Sequence, residues 1–180
     1  MKAIVAVDRN WMIGSGKGDL PWCCSPDLKR FREITTGQVL VFGFNTFNGM
    51  SSFSLPGREI IEIHEQRSIP REIGDYSFKG TVSSLEYDTG DLTSLASRIT
   101  KISGDRSVFV AGGAKIYSLL LPFIQEFYVT VIDHENIVRD PVYLARDFID
   151  TIKGNLSSKP EMIAHDQANG TIANFYHFWK

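Results

Sequence analysis

The sequence predicts a single α/β domain over residues 1–180, built on a mixed, mostly parallel sheet with an antiparallel C-terminal strand and helices on both faces. The length of 180 residues fits one domain of about 100–200 residues. Short β-branched runs alternate with helical patterns through most of the chain. Long aromatic and β-branched runs then follow, with an Asn169-Gly170 turn signal before the last of them.

Each element has a local signal. Runs that contain β-branched residues predict strands at 2–8, 38–43, 58–64, 79–84 and 107–111. Ser25 is positioned to cap the first helix, with Pro26 at its first position and Gly37 at its end. Further helices are predicted at 45–50, 91–102 and 114–121. Strands at 126–133 and 171–179, with no clear helix between them, predict a hairpin-like antiparallel finish.

Composition excludes several classes of function. The 19 basic and 21 acidic side chains give a net charge of −2, which leaves no basic footprint for nucleic acid or for a membrane surface. The adjacent Cys23 and Cys24 cannot readily form a disulfide and predict a reduced, cytoplasmic protein. The N-terminus lacks the apolar segment of a signal peptide, and the apolar run at 119–124 is too short to span a bilayer.

Several familiar motifs fail on detail. The glycine-rich stretch 14–18 has Gly18 where a Walker loop needs Ser or Thr, and Pro21 blocks the helix that a dinucleotide fingerprint requires. We therefore predict a flexible loop after the first strand. The 4 histidines have no ligand spacing, so no metal site is expected.

A carboxylate stands out at the start of the first predicted helix. Asp27 shares a wall with Leu28 and Phe31, at helical spacing. A first-turn Asp also favours the helix dipole without any function. If it is buried, however, it needs a partner, and a cationic or amidine-like ligand would supply one.

Two strand ends have the glycines of a close backbone approach. Gly112-Gly113 joins a strand to a helix, and Gly43-x-x-Thr46 repeats the arrangement. Thr46 could cap the short helix and donate a hydrogen bond to a phosphate. A tight turn explains either one alone. Together they suggest a ligand with phosphates and an extended body.

In combination, these motifs resemble the dihydrofolate reductase family from residue 4 to about 133, whereas 134–170 matches poorly. The pieces that carry the resemblance are Ile13-Gly14, Leu20-Pro21-Trp22-x4-Asp27-Leu28-x2-Phe31, Gly43-x2-Thr46-Phe47, Leu55-Pro56-Gly57-Arg58, Gly112-Gly113-Ala114-x-Ile116-Tyr117 and Tyr128-x-Thr130-x-Ile132-Asp133. The resemblance implies NADPH-dependent reduction of 7,8-dihydrofolate to tetrahydrofolate, by hydride transfer to pterin C6 and protonation at N5.

The resemblance also implies roles for individual residues. The catalytic group is Asp27, which pairs with the pterin edge, with Thr130 to orient it and Trp22 to hold a water. Arg58 clamps the α-carboxylate of the glutamate tail. The implied substrate-binding residues are Val5, Ala6, Leu28, Phe31, Met50, Leu55 and Arg58.

NADPH is the implied cofactor, with a loop at 14–21 closing over its nicotinamide and a cis peptide at Gly112-Gly113. The implied cofactor-binding residues are Ala6, Ile13, Gly14, Leu20, Gly43, Phe44, Asn45, Thr46, His64, Glu65, Ala111, Gly112, Gly113, Ala114, Lys115, Ile116 and Tyr117. Two positions depart from the family pattern near the 2′-phosphate: Phe44 replaces a cation and Glu65 adds a negative charge. Arg67, His64 or Lys115 could compensate.

The expected partners are therefore dihydrofolate and NADPH, bound by a monomer, with no nucleic acid and no membrane. Another reductase of this fold, of the riboflavin-pathway type, and a non-catalytic folate- or nucleotide-binding protein stay open as alternatives. Arg58 and the Trp22-to-Asp27 spacing argue against the first. Asp27, Thr130 and the paired glycines argue against the second.

Overall fold

The computed structural model describes residues 1–16, 18–49, 55–65, 81–134 and 137–180. The helices are α1 (Ser25–Thr35), α2 (Phe44–Gly49), α3 (Leu92–Ser103), α4 (Ala114–Leu120) and α5 (Arg146–Asn155). The strands are β1 (Lys2–Asp8), β2 (Met12–Ser15), β3 (Val39–Gly43), β4 (Glu59–Glu65), β5 (Thr81–Tyr87), β6 (Val108–Gly112), β7 (Glu126–Asp133), β8 (Pro141–Tyr143), β9 (Met162–His165) and β10 (Ile172–Trp179).

In the described part of the chain, one eight-stranded sheet has the order β5-β4-β3-β6-β1-β7-β10-β9. In that order, the first six strands, β5-β4-β3-β6-β1-β7, all pair in parallel with their neighbours. Strand β10 runs antiparallel to both β7 and β9. The predicted mixed, mostly parallel sheet with an antiparallel C-terminal strand is confirmed.

Helices cover both faces of the sheet, as predicted. Alternation along the strands divides their side chains between two layers: Val39 and Val41 pack with α3, α4 and α5, whereas Leu40 and Phe42 pack on the side of α1 and α2. Because consecutive strand residues point to opposite faces, apolar runs in these central strands supply both cores. None of the described helices is long and apolar enough to cross a membrane.

The region between the last two predicted strands differs from expectation. It contains a helix, α5, as well as β8 and β9, so β10 forms its tight hairpin with β9 and not with β7. Phe148 and Ile152 of α5 are buried one helical turn apart, with Ile149 partly buried beside them, so the helical spacing was present in the sequence and the prediction missed it. The predicted loop at 14–18 also begins as a strand, since β2 pairs with β8.

The start of α1 is capped differently from the prediction. Ser25 is the first helical residue and Cys24 occupies the cap position without a side-chain hydrogen bond. The missing acceptor comes from the distant Asp166, whose Oδ2 accepts from the Ser25 amide at 2.7 Å. Its bonds to the Ser25 and Ala168 amides lower the pKa of Asp166. The C-terminal hairpin loop thereby stabilises the helix that carries Asp27.

Smaller shifts affect other elements. α2 begins at Phe44, which leaves Thr46 inside its first turn and not at a cap. α4 ends at Leu120, where a 3₁₀ turn begins, and β5 starts at Thr81, while residues 79 and 80 lie outside the described part. Gly37 ends α1 as predicted, with φ of +80°.

Candidate active site

A cleft of about 2350 Å³ opens along the carboxyl ends of β1, β3, β4 and β6 and the beginnings of α1, α2 and α4. A pocket for one drug-sized ligand occupies about 300–1,000 Å³. The cleft is therefore large enough for two ligands side by side. Its location is the one that open parallel sheets favour for ligands, beyond the carboxyl ends of the strands.

The fold brings the predicted site residues together. Every one of them that the structure describes lines this cleft, although their sequence positions run from Val5 to Thr130. Met50 and Arg67 lie outside the described residues. The predicted roles require that the described site residues line the same cleft, which they do. The roles themselves stay predictions.

Asp27 lies half-buried in the first turn of α1 and faces the cleft. Burial raises the pKa of its carboxyl, while a hydrogen bond from the Thr130 side chain and the nearby Arg30 guanidinium partly oppose that rise. Thr130, on β7, is itself buried. The site thus holds a carboxylate whose charge is only partly compensated by the protein, which favours a ligand that offers hydrogen-bond donors.

Apolar side chains form the wall beside this carboxylate. Leu28 is 42% exposed although it is apolar, and it faces the cleft with Phe31 and Leu55. Trp22 is buried, and its indole Nε1 has no hydrogen-bond partner among the described residues. An indole N–H in this position is suited to donate to a water molecule.

Arg58 provides a buried cation on the same side of the cleft. Its Nε donates to Thr35 Oγ1 at 2.8 Å, and its Nη1 donates to the Pro56 carbonyl at 3.0 Å. Burial lowers the pKa of this guanidinium. No carboxylate of the described residues forms an ion pair with Arg58, so an anionic ligand group would complete its surroundings.

The glycines at the ends of β3 and β6 line the cleft and are required by close packing against α2 and α4. The Gly112-Gly113 peptide is cis, and Gly112 has φ of +131°. A Cβ on Gly113 would lie 2.6 Å from Thr46 Oγ1, and one on Gly43 would lie 2.6 Å from Ile116 Cγ1. Any larger residue would therefore occupy the space between α2 and α4.

The loop after β2 reaches α2. A Cβ on Gly14 would lie 2.9 Å from the Asp19 carbonyl, which explains glycine at the start of this turn. Gly18, with φ of +84°, packs against Gly49 at the end of α2. The loop thus lines the cleft with Ile13 and Leu20, and Leu20 is 47% exposed.

Beyond the glycines, the cleft continues over the ends of β4 and β5, where charged residues gather. Lys115 Nζ pairs with Glu65 Oε2 at 2.7 Å, and this hydrogen bond raises the pKa of Lys115. The expected repulsive carboxylate and the expected compensating cation therefore neutralise each other.

Sequence reasoning missed Glu62 and Ser84, which also line this end of the cleft. Glu62 is 3% exposed and accepts from Ser84 Oγ at 2.5 Å. A signal was present: Glu62 is a charged residue among the isoleucines at 60, 61 and 63, two residues before His64. Among the described residues, no group of acidic, histidine and cysteine side chains is arranged to hold a metal ion.

Comparisons with known proteins agree with this geometry. The family model described as dihydrofolate reductase matches residues 1–150. Dihydrofolate reductase of Bacillus subtilis (strain 168) is 37% identical over 134 residues, which cover 73% of this chain and 68% of that protein. That of Enterococcus faecium is 33% identical over 130 residues, which cover 72% and 70% of the two chains.

One solved structure is similar over nearly the whole chain. It is dihydrofolate reductase from Enterococcus faecalis complexed with NADP(H) and RAB-propyl, with a TM-score of 0.67 and 24% identity over 98% of this chain and 95% of that one. At this identity the similarity supports the fold, including the region from 134 to 170 that lacks clear sequence motifs.

Proposed function

The chain belongs to the dihydrofolate reductase family, and on that premise we propose that its cleft binds 7,8-dihydrofolate and NADPH side by side and that Asp27 is the catalytic group. The observation that carries the assignment of Asp27 is a half-buried carboxylate, hydrogen-bonded by Thr130, on the apolar wall of a cleft with room for two ligands. The product is 5,6,7,8-tetrahydrofolate.

Substrate binding follows from the chemistry of the wall that Asp27 shares with Leu28 and Phe31. The two carboxylate oxygens match the paired donors at N3 and the 2-amino group of a pterin. Leu28, Phe31 and Leu55 bury its ring and the aminobenzoyl group, and Val5 and Ala6 border the pterin. Arg58 receives the α-carboxylate of the glutamate tail, which would give the buried guanidinium the anion that it lacks among the described residues.

The residues present also fit the cofactor. Gly43, Gly112 and Gly113 line the cleft without side chains of their own, so backbone amides can approach a pyrophosphate, and Thr46 contributes a hydroxyl at the same place. Ala6, Ile13 and Ala111 border the nicotinamide. When bound, the cofactor supplies the hydride that pterin C6 receives.

The protein's own contribution is alignment, electrostatics and exclusion of water. Asp27 faces N3 and favours protonation at N5 through its charge, with water as the direct proton donor. The unpartnered Trp22 indole is suited to hold such a water. The loop 14–21 limits access of bulk water to the nicotinamide end.

We further propose that the protein acts as a cytoplasmic monomer whose single domain spans residues 1–180. Cys23 and Cys24 are free thiols, which suits a reducing compartment. Light scattering during size-exclusion chromatography tests the monomer, for which the expected mass is 20.2 kDa.

Activity is tested by the loss of NADPH absorbance with dihydrofolate, with and without methotrexate, and by detection of tetrahydrofolate. We expect turnover that methotrexate blocks. Absence of turnover, or reduction of a riboflavin-pathway precursor in its place, would contradict the proposal.

The role of Arg58 needs a substrate without the glutamate tail. Wild type should have a lower KM for dihydrofolate than for dihydropteroate, and Arg58→Lys should remove most of that difference because Lys cannot form the bidentate contact. The KM for NADPH serves as the internal control and should stay unchanged. An equal rise in both Michaelis constants would point to general disruption of the α1 C-terminus instead.

A further inference from the structure

Among the described residues, the end of the cleft over β4 and β5 carries more negative than positive charge. Glu62 is 3% exposed, and its partners are the Ser84 hydroxyl at 2.5 Å and His64 Nδ1 at 3.2 Å. No lysine or arginine of the described residues pairs with Glu62. Two described cations lie at this end: the Lys115 ammonium is held by Glu65, and Arg98, which shares a neighbouring pocket with His64 and Ser84, donates its Nη1 to the Glu86 carbonyl. Arg67 lies outside the described residues.

The position of the second ribose follows from the proposed function, on which this inference rests. The nicotinamide must meet the pterin beside Asp27, and the pyrophosphate must lie at Gly43, Gly112 and Gly113, where the backbone is accessible. The sheet order then continues from β6 to β3 and β4, away from β1. A dinucleotide that extends past the glycines therefore places its adenosine ribose at the ends of β3 and β4.

Sheet-bound dinucleotides show how this ribose is distinguished. A carboxylate at the end of a neighbouring strand accepts a hydrogen bond from the 2′-hydroxyl of NADH, whereas a nearby arginine accommodates the 2′-phosphate of NADPH. Here the buried carboxylate of Glu62, in the middle of β4, lines the cleft, and the adjoining wall offers the neutral ring of Phe44.

We propose that this protein uses NADH alongside NADPH, and that Glu62 is the residue that limits its selection of the 2′-phosphate. Burial keeps the Glu62 charge from being screened by solvent, so it opposes a second anion more strongly than an exposed carboxylate does. The 2′-hydroxyl of NADH meets no such repulsion and has an acceptor available.

Binding of NADP⁺ and NAD⁺ to the whole protein, measured by calorimetry without folate, tests the inference independently of turnover. The measurements are made at about pH 8, above the range where histidine ordinarily titrates. We expect the two dissociation constants of wild type to differ by less than about tenfold. Glu62→Gln, which keeps the Ser84 hydrogen bond, should tighten NADP⁺ by about fivefold and should not tighten NAD⁺.

Two further variants keep the test decisive. Glu86→Gln is the matched control, because Glu86 is a 58% exposed carboxylate near His64 on β5, and it should change either constant by less than about twofold. Glu65→Gln removes the charged partner of Lys115 and should also tighten NADP⁺, by a smaller factor than Glu62→Gln does, because Glu65 is more exposed than Glu62.

Wild type that binds NADP⁺ more than about 100-fold tighter than NAD⁺, unchanged by Glu62→Gln, would overturn the inference. So would a strong preference for NADP⁺ that disappears in Arg67→Gln. Steady-state turnover of dihydrofolate with each cofactor is measured in parallel. If both cofactors bind as expected but neither supports turnover, the proposed function is refuted, whereas the assignment of Glu62 to selection against the 2′-phosphate stands.

Discussion

Replacing Asp27 with asparagine should lower the catalytic rate and raise the free energy of unfolding at pH 7. The variant keeps an oxygen to accept the Thr130 hydrogen bond but loses the charge that favours N5 protonation. Burial raises the pKa of Asp27 above its ordinary value of 3.8. The folded protein therefore binds this proton more tightly than the unfolded chain does, and wild type loses stability as the pH rises through the interval between the two values.

The expected magnitudes follow from these two effects. Losing a positioned acid–base group costs about 10²–10⁴-fold in rate, so we expect kcat/KM for dihydrofolate at pH 7 to fall by about 10²-fold or more. The loss should shrink as the pH falls, because the substrate then arrives protonated. Without ligands, the free energy of unfolding at pH 7 should rise by an amount on the order of 1 kcal/mol, with no gain near pH 3.

Steady-state kinetics between pH 5 and pH 9 and urea unfolding followed by circular dichroism measure both effects. Asp150→Asn is the control, because Asp150 is 59% exposed on α5, and it should change stability by less than about 0.5 kcal/mol. Activity like wild type at pH 7 in Asp27→Asn would refute the catalytic assignment. If Asp27→Asn lowers the free energy of unfolding relative to wild type at pH 7, and does so more than at pH 3, the electrostatic reasoning is refuted.

Three other substitutions test the cleft and the fold. Gly113→Ala should weaken the affinity for NADPH more than that for folate in fluorescence titrations, because its Cβ would lie 2.6 Å from Thr46 Oγ1. Gly154→Ala is the control, because its Cβ would meet nothing within 4 Å. An equal loss of affinity for both ligands would indicate misfolding. Phe44→Arg should lower the KM for NADPH and leave the KM for NADH nearly unchanged, and the decrease for NADPH should be larger at low salt. If wild type already prefers NADPH strongly and Phe44→Arg does not alter that preference, another residue binds the 2′-phosphate. Glu126→Gln should lower the free energy of unfolding by about 1 kcal/mol at pH 7 after allowance for solvent screening. Burial alone would raise the pKa of Glu126, but hydrogen bonds lower it from 4.5 to about 2, so the stability that it adds above pH 4.5 is lost as the pH falls towards 2, and the variant should show a smaller acid loss in thermal unfolding.

The amino-acid sequence by itself determined the elements whose signals are local. Strand β1 and strands β3 to β7 carry their own apolar and β-branched runs, whereas β2 was predicted as a loop. Helices α1 and α3 have breaking or capping residues near their ends. The same local signals located much of the candidate cleft. Asp27, Gly43 and Gly112-Gly113 lie at strand ends and helix starts, and a parallel sheet brings such positions to one edge whatever their separation in the chain.

Only the tertiary structure decided the features that depend on distant partners. The amide of Ser25 at the start of α1 is satisfied by Asp166, 141 residues away, and no local pattern links the two. The charge of the β4 end likewise depends on Glu62 meeting Ser84 of the neighbouring strand and on Lys115 meeting Glu65. Burial, charge pairing and remote capping are sums over contacts that form only when the chain is folded, and these contacts set the pKa of Asp27 and the expected choice of cofactor.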